Sequence, residues 1–118
     1  MRRARWLALA VLAMALGAWI AVGTGLSSAS TMTVHNRIKE NATTHRYHYT
    51  PKSMSIKVGD KVVWTDKSDA PHTVTFNTGS FSKAVQPGQS VSRVFRHKGT
   101  FRYHCNIHSY MHGTVVVT

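Results

Sequence analysis

The sequence predicts an all-β sandwich of about seven to eight short strands, and three observations carry that reading. From Thr33 onward apolar residues do not recur at helical spacing; they alternate with period two, as in Met54-Ser55-Ile56-Lys57-Val58. Each alternating run is short and stops at Gly, Pro, Asn or Asp, the residues that turns favour. The runs follow one another at regular intervals with turn signals between them, the pattern of an antiparallel sandwich or barrel.

Residues 1–30 stand apart from that pattern. Met1-Arg2-Arg3-Ala4-Arg5 is a basic head, Trp6 to Leu26 is an uncharged apolar run, and Ser27-Ser28-Ala29-Ser30 offers the small residues a signal peptidase accepts. The run exceeds the roughly 7–15 apolar residues of a cleaved signal and is near the roughly 20 that span a bilayer. It therefore reads as an export segment, either a signal peptide or an N-terminal membrane anchor in helical form. Both readings place the domain at 31–118 outside the cytoplasm, in the periplasm or on the outer face of the cytoplasmic membrane.

The strands follow in order. Val34 to Ile38 is the first, and Met54 to Val58 ends at Gly59-Asp60. Lys61 to Thr65 carries Trp64 and runs into the polar stretch from Asp66 to Pro71. His72 to Phe76 comes next; Gln86-Pro87-Gly88-Gln89 is a turn and Ser90 to Phe95 alternates again. Gly99 introduces Thr100 to Cys105, and Gly113 introduces Thr114 to Thr118. Trp64 and Phe76 are the large core candidates.

Charge and cysteine usage narrow the function. The 118 residues hold 15 Lys and Arg against 4 Asp and Glu, a formal charge of +11. Without Arg2, Arg3 and Arg5 the domain still has twelve cations to four acids. Such a surface attracts acidic protein partners or an anionic membrane face. Nucleic acid is disfavoured, because the cations are scattered and the compartment is wrong. One cysteine cannot form an internal disulfide, so Cys105 is buried, held by a metal, or paired with another chain.

Residues 103–113, YHCNIHSYMHG, place that cysteine among soft ligands. Strand alternation puts Phe101, Tyr103 and Cys105 on the inner face and Arg102 and His104 on the outer. Asn106-Ile107 turns the chain so that His108 approaches the same point, and Met111 follows three residues on. His72, after Ala70-Pro71 at the start of an apolar strand, is placed to supply a fourth ligand. Two imidazoles, a thiolate and a weak axial thioether are the set a type 1 copper centre uses. His112 in place of Met111 would give a zinc-like set, but structural zinc usually draws on more than one cysteine.

The stretches YTPKSMSIKVGDKVVWTDKSDAPHTV and QPGQSVSRVFRHKGTFRYHCNIHSYMHGTVVV resemble the cupredoxins, the type 1 blue copper proteins, and among them the plastocyanin and amicyanin group. The resemblance implies a Greek-key sandwich and a single copper ion held by His72, Cys105, His108 and Met111. It implies an electron carrier cycling Cu(I)/Cu(II) through the exposed edge of His108, a monomer serving redox protein partners. The two residues between His108 and Met111 match the short loop of amicyanin. Two departures stand out. Thr73 follows the first histidine where these families often have an Asn that braces the cysteine loop. Plastocyanin's acidic docking patch has no counterpart, since Asp66 and Asp69 are the only nearby acids.

The alternative function is a copper trafficking or storage module, supported only by the surplus histidines His35, His45, His48 and His112. An accessory domain feeding one oxidase or dehydrogenase is a third reading. An independent enzyme is not expected: copper oxidases need a second site, often with a His-Cys-His run, and here His104-Cys105 is followed by Asn106. His104 reads as an outward-facing bystander.

Overall fold

The computed structural model describes residues 30–118; nearly all of the predicted export segment, 1–29, lies outside the described residues. Nine strands make up the domain: β1 (Thr33–Glu40), β2 (Tyr47–Thr50), β3 (Ser53–Ile56), β4 (Lys61–Asp66), β5 (His72–Phe76), β6 (Ser82–Val85), β7 (Ser90–Val94), β8 (Gly99–His104) and β9 (His112–Val117). They form two sheets, ordered β2-β1-β4-β7 and β3-β9-β8-β5-β6.

Two features differ from the sequence expectation. β2 and β6 are additional strands of four residues each at sheet edges, and β6 (SKAV) exposes three of its four. An edge strand needs little apolar surface, so its sequence carries little alternation. The sandwich is also not wholly antiparallel: β1 pairs parallel with β4, and β3 with β9. After the β1–β2 hairpin the chain crosses to the other sheet as β3 and returns as β4 beside β1. A crossover of that kind is what a parallel neighbour requires.

The inner faces alternate as the pleat demands. β4 buries Val62, Trp64 and Asp66, and β5 buries His72, Val74 and Phe76. Trp64 is fully enclosed, with its ring 5.4 Å from Tyr103 and 6.0 Å from Phe76. Burying one such side chain contributes about 1.5–3 kcal/mol. Away from the cysteine, the Arg93 guanidinium lies 4.4 Å over the Phe76 ring and 4.8 Å over Phe95. Its charge is thereby set against aromatic faces rather than against a carboxylate.

Turn chemistry fixes the connections. Gln89 N–H donates to Gln86 C=O at 2.8 Å across Pro87-Gly88, with Gly88 at φ +84° where an L side chain is strained. Asp60 is buried and its carboxylate accepts N–H groups of Met32 and Lys57, both at 2.9 Å. Those bonds hold it below the usual carboxylate range. Asn41 Oδ1 accepts the N–H groups of Thr43 and Thr44 at 2.9 Å, closing the β1–β2 turn. That turn delivers Tyr47 to the end of the sandwich where β5 begins and β8 stops.

Candidate metal centre

Three side chains converge at that end. His72 is the first residue of β5, Cys105 the first after β8, and His108 lies in the loop that leads to β9. His72 Nδ1 is 3.9 Å from Cys105 Sγ and His108 Nδ1 is 3.8 Å from it. All three donor atoms lie within 4.8 Å of one another, and no other group of three His, Cys, Asp or Glu converges among the described residues. His72 and Cys105 are buried and His108 is half-buried, so the cluster opens to solvent on the His108 side.

The loop that carries His108 is tied by its own backbone. Met111 N–H donates to His108 C=O at 2.9 Å, and Cys105 N–H donates to Met111 C=O at 3.2 Å. Met111 is buried in consequence, at 1 % exposure, in the same cluster as Cys105. Strand parity holds as read from the sequence: Tyr103 and Cys105 face inward, Arg102 outward. His104 lies on the outer face and takes no part in the cluster. His35, His45, His48 and His112 also stand apart from it, with His45 Nδ1 in hydrogen-bond contact with Glu40 Oε1 at 3.0 Å.

The orientation of His72 has a legible cause. Ser68 Oγ donates to Asp66 Oδ1 at 2.7 Å, which commits the hydroxyl proton. It sits 2.9 Å from His72 Nε2, so it accepts the ring N–H there and leaves the Nδ1 lone pair facing Cys105. Burial holds the His72 imidazole below its ordinary pKa; the nearby Asp66 charge opposes that and His108 adds to it. The neutral ring is the form that ligates a metal.

Cys105 is braced from β5. Thr73 N–H points at Sγ at 3.3 Å, and Asn106 N–H donates to Thr73 Oγ1 at 2.8 Å. The shorter hydroxyl thus makes a bond across to the cysteine loop. Tyr49 OH donates to Thr73 C=O at 2.6 Å from the other sheet, pinning the same residue.

Tyr47, from β2, packs against the cluster. Its ring centroid is 4.7 Å from His72 and 4.8 Å from His108, so it covers both imidazoles. Its hydroxyl donates to Asp69 at 2.8 Å, and that bond pushes the phenol up to about 12. Tyr47 N–H donates to Tyr110 OH at 3.1 Å, and the Arg46 guanidinium lies 4.0 Å over the Tyr110 ring. No spacing signal links Tyr47 to His72; the hairpin alone brings them together.

Two imidazole nitrogens and one sulfur at these separations, with Met111 buried in the loop that carries His108, fit a single soft or borderline transition-metal ion rather than a hard cation. The family model for the cupredoxin-like domain matches residues 10–117. The chain belongs to the cupredoxins. Amicyanin of Paracoccus denitrificans is 37% identical over 75 residues, 58% of this chain and 57% of that protein. Plastocyanin of Scenedesmus fuscus is 31% identical over 83 residues, 85% of that protein's length. The chain thus spans little more than half of the amicyanin but most of the plastocyanin. Among solved structures, a purple cupredoxin from Nitrosopumilus maritimus superposes with a TM-score of 0.64 at 26% identity, covering 72% of this chain and 99% of that one. An amicyanin variant with Cu(I) superposes at 0.60 with 27% identity, covering 73% of this chain and 82% of that one.

Proposed function

We propose that this cupredoxin is an exported type 1 blue-copper electron carrier, with His72, Cys105, His108 and Met111 as ligands. The observation that carries the reading is the convergence of three donor atoms within 4.8 Å around the only cysteine, beside a buried methionine. A copper ion bound there supplies a one-electron couple, Cu(II)/Cu(I). The residues supply rigidity and access. Ser68 and Asp66 fix one imidazole, Thr73 fixes the thiolate, Tyr47 packs against both rings, and His108 is the ligand that reaches solvent. A donor set held in one arrangement reorganises little when charge changes, which suits electron transfer rather than substrate turnover.

Residues 31–118 form the carrier domain in this reading, and 1–30 export it as a cleaved signal or retain it as an anchor. The mass of the protein recovered from the exported fraction distinguishes the two. The surplus histidines gather into no second cluster among the described residues, which favours electron transfer over copper storage. Copper stoichiometry and exchange separate those functions: a carrier holds one ion per chain and is oxidised by a small acceptor far faster than it yields copper to a chelator. Faster copper transfer than oxidation would make it a trafficking module.

Two expected results follow from the surroundings of the site. Ser68→Ala removes the acceptor that sets the His72 tautomer, and copper affinity should fall about 10–100-fold in chelator competition. The partner side rests on charge. Asp60 and Asp66 are buried, while Glu40 and Asp69 are engaged with His45 and Tyr47. The cations dominate the surface, so the redox partner presents an acidic face, and stopped-flow electron transfer to it should slow as ionic strength rises. A rate indifferent to salt would remove the acidic-partner reading.

A further inference from the structure

We propose that His104, Asn106 and Thr75 are positioning residues for the Cys105 sulfur, joined in a polar chain on the outer face of the β5–β8 pair. This rests on the type 1 site above and concerns what holds its thiolate in place. Thr73 has a shorter side chain than the asparagine it replaces in the resemblance, and its single hydroxyl accepts from Asn106 N–H at 2.8 Å. On its own that bond is exposed and faces competition from water. The structure surrounds it with five more contacts. Thr73 Oγ1 is 3.0 Å from Thr75 Oγ1, Asn106 Nδ2 donates to Thr75 Oγ1 at 3.1 Å, and Thr75 Oγ1 is 2.8 Å from Ser82 Oγ. His104 then spans the outer end, Nε2 meeting Asn106 Oδ1 at 3.1 Å and Nδ1 meeting Asn77 Oδ1 at 2.6 Å.

Donor and acceptor capacities close around Thr75. Thr73 accepts the Asn106 N–H and passes its own proton to Thr75 Oγ1. Thr75 accepts that proton and the Asn106 amide N–H, and gives its proton to Ser82. Asn106 is therefore held at its backbone by Thr73, and at its side chain by Thr75 and His104. It is the residue next to Cys105, so fixing it at three points fixes the direction in which the chain leaves the sulfur. Linked hydrogen bonds of this kind reinforce one another, which lets an exposed brace hold where a single bond would fray. His104 thereby has a task that its outward orientation in the sequence concealed.

The test uses Thr75→Val, which keeps the shape and removes the hydroxyl, together with Asn106→Ala and the conservative Thr75→Ser. In the copper-free full-length protein, Cys105 should react with a maleimide about fivefold faster or more in Thr75→Val and Asn106→Ala, the factor that loss of one ordinary hydrogen bond implies. Thr75→Ser should restore the wild-type rate. In the copper-loaded protein the relative intensities of the visible charge-transfer bands should change in the same two variants and return in Thr75→Ser. Labelling rates within twofold of wild type and an unchanged spectrum in both variants would overturn the proposal. A wild-type protein with no such bands would instead defeat the type 1 reading, and the labelling rates would still decide the brace.

Discussion

Cys105→Ser should abolish the visible absorption of the copper-loaded protein completely. The intense band of such a site is a transfer of charge from thiolate sulfur to Cu(II), and Cys105 is the only thiol in the chain. A serine hydroxyl is neither ionised at neutral pH nor soft, so His72 and His108 would hold copper with no low-energy donor beside it. The substitution is nearly isosteric, and Thr73 N–H can donate to the new oxygen as it does to sulfur at 3.3 Å. The copper-free variant should therefore melt close to the wild type. Absorption spectroscopy after addition of one equivalent of Cu(II), with circular dichroism as the control for folding, checks both halves. A band that persists in Cys105→Ser would place the chromophore elsewhere.

Gly113→Val should cost the copper-free domain at least about 3 kcal/mol, the upper end of ordinary overpacking. Gly113 lies directly opposite Tyr103 across the β8–β9 ladder, and a Cβ built there would overlap the Tyr103 ring at its Cζ, Cε2 and hydroxyl. The ring cannot swing away. Tyr103 is fully buried, with Tyr49 at 4.7 Å, Phe76 at 5.3 Å and Trp64 at 5.4 Å between centroids. The strain falls two residues from Met111 and two from Cys105, so the ligand loop is disturbed along with the core. For a domain of this size 3 kcal/mol lowers the melting temperature by about 12 °C or more. A melting temperature within a few degrees of wild type would mean that the Tyr103 ring has somewhere to go.

Gly113 also shows where the sequence was readable and where it was not. Its position before TVVVT reads as a turn glycine, yet it lies inside β9, and its smallness serves the aromatic ring opposite. Period-two alternation located β4, β5 and β8 because each has one buried face; β2 and β6 escaped because edge strands need no such pattern. The parallel pairing of β1 with β4 depends on which sheet each strand joins, and local sequence is silent about that. The metal cluster was legible because Cys105 and His108 are close in sequence and His72 opens a strand. Its supports were less so. Asp66 and Ser68 look like loop polarity, but the fold turns them into the relay that orients His72. Tyr47 reaches both imidazoles only through the β1–β2 hairpin.

Spectroelectrochemical titration of the protein loaded with one equivalent of copper tests the central claim most directly. An intense visible band should bleach on reduction and return on oxidation through a single one-electron wave, with the ion retained throughout. A colourless Cu(II) protein, or copper lost from the chain on each reduction, would contradict an electron carrier built on His72, Cys105, His108 and Met111.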